Sequence, residues 1–486
     1  MTDTTVTGAA GVATRKSANA DEAPVHAIVE RRQSPLRAPL AFVFMGGALV
    51  ATGYFQSPAV ALTILNMSLV SAIMAMGLNL QWGYAGLFNA GVMAFTALGG
   101  VTAVLVAHPP VWEALQVGGR GLALSLLIVL AIVATIAFLV SATRGRTRSF
   151  LIFVTVIVGY ALLRPVFGSA VGAIESVDPA ATGFIGGFGL PITLSWIAAG
   201  FVAAAVAWII GKVALGLRTD YLAIATLGIA EIVIAILKNE DWLARGVKNV
   251  TGLPRPVPYE IDLQQQAWFI ELVERVYQNR LAGITDAAAR EQALRQLVVD
   301  GSGYFVDIAY AGLFTVVLLV LLALCVRALN SPWGRMMRAI RDNEEAASAM
   351  GKNVTKRHLE VFILGSAMIG IAGAMMTTLD GQFTPGTYNP LRFTFLVWVM
   401  VIVGGSGNNL GAVLGGFLVW FCWVQAEPAG AWIIAQVTAD MDPGTELYRH
   451  LQDIAAPFRL FVMGFVLLLF LRFAPRGILP EKVRHS

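Results

Sequence analysis

VDIAYAGLFTVVLLVLLALCVRAL, residues 306–329, is a run of 24 residues in which apolar side chains dominate without alternating. At 1.5 Å per residue a helix of that length reaches about 36 Å, enough to cross the roughly 30 Å of hydrocarbon in a bilayer. The run is continuous rather than period-two, so it reads as a helix and not as a barrel strand. Working outward in both directions, runs of the same kind fall at 38–55, 59–80, 84–107, 121–141, 150–167, 191–215, 221–237, 359–378, 393–405, 412–425 and 458–473. The run 393–405 is short, and 84–107 is interrupted by Gly86, Gly91, Gly99 and Gly100. Of the 486 residues, 57% are hydrophobic and 13% charged, whereas a soluble domain has about 25% charged. The 49 glycines suit helices that approach closely in lipid. The fold expected is an all-α integral membrane protein, a polytopic bundle of about 12 transmembrane helices (10–12), embedded in membrane lipid.

Charge tests that count, because Lys and Arg concentrate in cytoplasmic loops. Starting inside with Arg31, Arg32 and Arg37, alternation puts Arg144, Arg146 and Arg148 inside. It also puts Lys212 and Arg218 inside, then the cluster 335–357, and finally Arg472, Arg476, Lys482 and Arg484. Both termini are therefore expected in the cytoplasm, with an N-terminal tail 1–37, a transmembrane domain 38–475 and a C-terminal tail 476–486. Arg31-Arg32 reads as the flank of a membrane anchor rather than as a twin-arginine signal. The longest outside segment, 238–304, carries 8 Lys or Arg and 9 Asp or Glu, with helical character over 286–299. A second outside loop, 427–457, holds Trp432, Met441 and Tyr448.

The net charge of +4 is no nucleic-acid signal. Cys325 and Cys422 both sit in apolar runs, and the histidines at 26, 108, 358, 450 and 485 have no ligand spacing. No GxxxxGK[ST] phosphate loop and no HExxH occur. Nothing in the chain forms a catalytic constellation, so no cofactor or metal and no enzyme activity is expected of it.

The long charged stretch on the inside is SPWGRMMRAIRDNEEAASAMGKNVTKR, residues 331–357. Ser331-Pro332 starts a helix, with Ser as N-cap and Pro at its first position. Met336, Met337 and Ile340 share one face, and Arg335, Arg338 and Arg341 decorate others. The alanine-rich 343–350 forms a second short helix ended by Gly351. Two short helices joined at an acidic turn suit a force-bearing dock on a partner; a solvated interhelical loop is the alternative. Within the spans, Glu231 lies about ten residues into its run, where a lone carboxylate is costly unless paired or hydrated. It either locks two helices together or lines a path. Asn66, Asn79, Gln81 and Asn89, with Trp82 and Tyr84 beside them, set polar groups around the glycines of 83–100. They serve a broken helix on a substrate path or plain interhelical hydrogen bonding. The turn 404–409, GGSGNN, connects two short spans or acts as a gate.

Glu345-Ala346-Ala347-Ser348-Ala349-Met350-Gly351 fits E-A-A-x-x-x-G, which resembles the coupling loop of ATP-binding-cassette importers. The longer string GRMMRAIRDNEEAASAMGKNVTKRHLEVF resembles the branched-chain amino-acid permease family of the LivM type. So do GLNLQWGYAGLFNAGVMAFTALGG from Gly77, RTDYLAIATLGIAEIV from Arg218, VIVGGSGNNLGAVLGG from Val401 and FAPRGILPEK from Phe473, in family order. The resemblance covers about 59–482; the span 150–167, the segment 238–304 and the wording GLFNAG depart from it. It implies a permease subunit of the bacterial inner membrane with three kinds of partner. These are a second homologous permease, two cytoplasmic ATPases that carry ATP-Mg, and a periplasmic binding protein. It implies that Arg335, Arg338, Arg341, Glu344, Glu345, Ala346, Ala347 and Gly351 couple to the ATPases. Asn79, Trp82, Tyr84, Asn89 and Glu231 are the candidates for the translocation path. The implied substrates are leucine, isoleucine, valine or related amino acids; urea or short amides suit a similar permease. A proton-driven transporter using Glu231 is the rival class, and a membrane scaffold or enzyme comes last.

Overall fold

The structure, a computed structural model, describes residues 36–179, 182–217, 219–439, 441, 445–454 and 458–481. The helices before the charged loop are α1 (Arg37–Phe55), α2 (Pro58–Ala85), α3 (Val92–Ala107), α4 (Trp112–Ala142), α5 (Gly145–Glu175), α6 (Ile192–Ala214) and α7 (Thr219–Asn239). Four short ones follow: α8 (Asp241–Ala244), α9 (Glu260–Gln264), α10 (Ala267–Val276) and α11 (Gln278–Ala282). Then come α12 (Ala287–Asn330), α13 (Pro332–Asp342), α14 (Glu344–Ala349), α15 (Val354–Asp380), α16 (Pro390–Gly404), α17 (Asn409–Val437), α18 (Glu446–Ile454) and α19 (Phe458–Phe473). The tail residues Arg31 and Arg32, the loop residue Arg218, and Lys482 and Arg484 lie outside the described residues.

Each of the twelve apolar runs except 84–107 falls on one helix, and the chain is a polytopic, all-helical membrane protein. Among the described residues nine helices are long and apolar enough to cross a bilayer. The other three, α3, α16 and α19, hold 16, 15 and 16 residues, short of the ~20 that a full crossing takes.

Two boundaries differ from the sequence reading for physical reasons. The run 84–107 is not one interrupted span. Helix α2 carries on to Ala85 and stops at Gly86, whose φ of +72° is left-handed and closes the end. The Gly86 amide donates to the Trp82 carbonyl (2.9 Å) and the Leu87 amide to that of Gln81 (3.0 Å), a left-handed helix end that glycine makes without strain. After residues 86–91 the chain re-enters as α3. The segments 286–299 and 306–329 are not separate helices either. Capped by Asp286, whose carboxylate accepts from the Ala289 amide (3.1 Å), α12 runs 44 residues without a break. That is about 66 Å, so its first part projects beyond the apolar slab. Phe269 and Val273 of α10 and Leu281 of α11 are buried beside it, and that cover keeps the projecting part helical.

Helices α2, α3 and α15 form the buried centre, with α6, α16 and α17 packed on them. Backbones touch where glycine allows it: a Cβ on Gly77 would come 2.7 Å from the Gly365 carbonyl, and one on Gly365 would come 2.6 Å from that of Gly77. Helices α4 and α5 make a hairpin buried only along its own seam, at Ala114, Gly118 and Ser125 against Gly159, Ala170 and Ile174. Apolar helices exposed all round belong in lipid.

One end of the bundle gathers α13, α14, the α6–α7 turn and the C-terminal segment. The opposite end holds α8–α11 and, among the described residues, the one strand pair, β1 (Val250–Thr251) with β2 (Gln382–Phe383), antiparallel with Val250 facing Phe383. The bridge of Pro110 to Gly186 and the Ile185 amide on the Trp242 carbonyl (3.0 Å) close that end.

Candidate functional site

The charged loop is two helices, as its sequence suggests, and it is braced at every joint. The Ser331 hydroxyl accepts from the Trp333 amide (3.2 Å) to start α13. Asn343 ends α13 and caps α14, its side-chain oxygen accepting from the Ala346 amide at 2.9 Å. Gly351, with φ of +76°, ends α14, and Asn353 caps α15 by accepting from the Lys356 amide at 2.9 Å. Met337 and Ile340 face the bundle and are buried, with Met336 half-buried beside them. Trp333 donates to Glu360 (3.0 Å), which also takes two hydrogen bonds from Arg357 (2.8 and 3.0 Å).

The three arginines differ in role. Arg335 is exposed. Arg338 turns inward: its Nη2 donates to the Leu329 carbonyl (2.8 Å), satisfying an open carbonyl at the end of α12. Arg341 is a clasp. Its Nη1 donates to the Gly83 carbonyl at the end of α2 (2.5 Å) and pairs with Glu481 Oε2 (2.9 Å), while its Nε donates to Asp342 (3.2 Å). Burial works against the Arg341 charge, but Glu481 and Asp342 outweigh it and hold the guanidinium above its ordinary range.

Glu481 belongs to a C-terminal segment threaded back into the bundle. The Ile478 and Leu479 amides donate to the Val403 and Gly404 carbonyls, each at 2.9 Å, and Asn408 donates to the Pro480 carbonyl (3.3 Å). The turn 404–409 lies against this segment. Gly405 (φ +118°) leaves no room for a Cβ beside the Leu479 carbonyl. The same turn reaches α2: the Gly407 amide donates to Asn79 Oδ1 (2.9 Å), and Asn79 Nδ2 donates to Asn409 Oδ1 (3.2 Å). A closed ring of contacts thus runs from Arg341 to Glu481, the turn 404–409, Asn79, Gly83 and back to Arg341.

Next to that ring the break between α2 and α3 is held by buried polar groups. Gln81 donates to the Phe362 carbonyl (3.0 Å) and the Ser366 hydroxyl (3.1 Å), and it accepts from Asn89 (2.8 Å). Asn89 accepts from the Gly91 amide (2.8 Å), and its carbonyl accepts from Trp398 Nε1 (3.0 Å). The Trp398 ring of α16 sits 4.7 Å from that of Trp82 and 4.2 Å from that of Phe88. The Ala90 amide donates to Thr226 of α7 (3.0 Å). Asn79, Tyr84 and Asn89 are buried and Trp82 is half-buried. Beneath α13 a cavity of about 230 Å³ is lined by Gly86, Phe88, Leu222, Arg341, Glu344 and His358.

Glu231 stands apart from them. It lies on an exposed face of α7, mid-helix, and makes no hydrogen bond or ion pair recorded among the described residues. A charge facing hydrocarbon there would cost roughly 3 kcal/mol. On the loop, no residue of α14 is buried. Ala346, Ala349 and Met350 make a small outward apolar face between the acids Glu344 and Glu345 and the bases Lys352 and Lys356, with Ala347 half-buried behind them. Glu481 and Trp398, which complete the site, carry no sequence signal of their own. The first is an acid in a basic tail, and the second is one aromatic ring in an apolar run.

These features define a polytopic membrane protein with a braced, charged loop at one end. The chain belongs to the family of branched-chain amino acid transport system permease components, whose model matches residues 166–471. It is 30% identical over 161 residues to a probable branched-chain amino acid transport permease protein LivM of Methanocaldococcus jannaschii, covering 32% of this chain and 42% of that one. To the high-affinity branched-chain amino acid transport system permease protein LivM of Escherichia coli it is 25% identical over 284 residues, 58% of this chain and 56% of that one. To the xylose transport system permease protein XylH of Escherichia coli it is 31% identical over 140 residues, 27% and 35% of the two chains. The chain thus spans about half the length of the LivM relatives it matches. No solved structure matches it significantly.

Proposed function

We propose that this chain is one permease subunit of an ATP-driven importer in a bacterial inner membrane, and that its substrate is leucine, isoleucine, valine or a related amino acid. It pairs with a second, homologous permease and with two ATPase subunits that carry ATP-Mg. A periplasmic binding protein delivers the substrate. The observation that carries this reading is the loop 331–357. Its outer helix and the Met350 that follows offer an unburied alanine and methionine face, while its inner helix is clasped to two parts of the bundle through Arg341.

The mechanism follows from those contacts. When the ATPases close, they push on α14, and the capped joints at Asn343 and Asn353 pass the push on without slack. Arg341 then moves the end of α2 through the Gly83 carbonyl. Through Glu481 it moves the C-terminal segment and the turn 404–409. The break at 86–91 is the joint that lets α2 and α3 move separately. The E-A-A-x-x-x-G match and the LivM relatives support the ATP-driven reading; the XylH relative leaves sugars as a substrate to be tested.

The test is uptake of labelled leucine, urea and xylose in cells with and without this gene, with cellular ATP and the proton gradient varied separately. Loss of leucine uptake on deletion, with uptake following ATP, is the expected result. Uptake that collapses with the proton gradient while ATP stays high would overturn the mechanism.

A further inference from the structure

The face that α7 leaves open has a composition that lipid does not explain. Leu222, Thr226, Ala230 and Ile234 form its buried stripe against the bundle. Ile224, Gly228, Glu231 and Ala235 form an exposed stripe on another side. Glu231 is the 13th of 21 residues in α7, so it lies about 18 Å from one helix end and about 12 Å from the other. Gly228, one turn away, has open space where a side chain would be. Small residues therefore flank the carboxylate and leave it approachable. Intramembrane ionisable groups face a bundle interior or a water-filled path and find a charge partner there. Within the described residues Glu231 has no such partner.

We infer that this stripe of α7 faces the second permease subunit across the translocation route, and that the Glu231 carboxylate is the counter-charge to the ammonium of a passing amino acid. The inference rests on the preceding reading of the chain as half of a paired amino-acid permease. A transit site must bind well enough to admit the substrate and weakly enough to release it. One exposed carboxylate, with no clasping donors around it, meets that requirement. Helix α7 is also connected to the moving parts, through its buried side. Thr226, five residues before Glu231, takes the Ala90 amide (3.0 Å), and the Gly91 backbone is so close that a Cβ there would lie 2.7 Å from the Thr226 carbonyl. A displacement of residues 86–91 therefore pulls on α7, and the loop's stroke reaches the route.

The experiment uses the assembled importer in proteoliposomes, with Cys325 and Cys422 of this chain replaced by serine. Glu231→Cys and Ala235→Cys are reacted with a charged, membrane-impermeant thiol reagent. Val133→Cys, on the exposed side of α4, serves as the lipid-facing control. Both α7 cysteines should react at least tenfold faster than the control, and leucine should slow the reaction at 231. Losing one hydrogen bond between charged groups corresponds to about a tenfold change or more, so Glu231→Gln should raise KM for leucine uptake by about that factor. Glu231→Asp should restore most of it. Reactivity at 231 no greater than at 133 would overturn the route-facing assignment. Rapid reaction together with an unchanged KM in Glu231→Gln would overturn the ammonium role, as would a disulfide-distance cross-link from 231 to a basic position of the second permease that persists through transport. If the unmodified assembly takes up no leucine while the labelling pattern holds, the amino-acid reading and the ammonium role both fall and the route-facing stripe stands.

Discussion

Replacing Glu481 tests the clasp, and its size follows from the contact itself. Arg341 Nη1 and Glu481 Oε2 are 2.9 Å apart, with the two side chains 24% and 21% exposed. A hydrogen bond between charged groups contributes about 1.5–3 kcal/mol, and partial solvent screening puts this one near 2. Glu481→Ala removes all of it, while Glu481→Gln keeps a neutral acceptor worth roughly half. The equilibrium between docked and released C-terminal segment then shifts by about 30-fold in the alanine variant and about 5-fold in the glutamine variant, at 0.59 kcal/mol per natural-log unit. The readout is hydrogen exchange of the Ile478 and Leu479 amides, which the docked segment holds on the Val403 and Gly404 carbonyls. Their exchange should speed up by those factors, in that order, in protein purified in nanodiscs. Native exchange rates in both variants would show that the backbone bonds alone hold the segment and that Arg341 does not clasp it.

Three further outcomes follow. Gly405→Ala should lower the thermal midpoint clearly, by the equivalent of at least about 2 kcal/mol, because φ is +118° and the Leu479 carbonyl occupies the Cβ position. Gly464→Ala, with nothing within 4 Å, should leave the midpoint unchanged or raise it slightly. Trp398→Phe should cost about 1–2 kcal/mol through the orphaned Asn89 carbonyl, whereas Trp420→Phe should be neutral, since the Trp420 indole N–H is buried with no partner in the structure; thermal unfolding in detergent separates the two. Ala349→Glu and Met350→Glu should cut ATP-driven uptake with no change in thermal midpoint, because no residue of α14 is buried and Met350, just beyond it, is exposed. A fall in midpoint as large as that of Gly405→Ala would mean that α14 packs within this chain instead of offering a docking face.

The membrane helices were legible because hydrocarbon imposes one rule on every residue of a span: the run must stay apolar for its whole length. Their ends obey other forces. The helical character of 286–299 is local, in its alanines and the Asp286 cap, but its unbroken continuation through 300–305 into the span is not, and there the cover of α10 and α11 matters. The glycines announced a break after α2, but not that Gly86 would be the residue to make it. In the site, the caps at Ser331, Asn343, Gly351 and Asn353 act over two or three residues, so local sequence specified them. Arg341 was singled out for its place in the loop, while its partner Glu481 lies 140 residues further on and meets it only through tertiary structure. The apolar pattern of α7 also hides its orientation. Ile224 and Ile232 are as apolar as Leu222 and Ile234, so the depth of Glu231 could be read and its side of the helix could not.

The most direct test of the central claim is leucine uptake into proteoliposomes that contain this chain, the second permease and the ATPases, with the binding protein outside. The account predicts uptake that requires ATP on the side of the loop 331–357 and is absent when a proton gradient is the only energy source. Uptake driven by the gradient without ATP would contradict it.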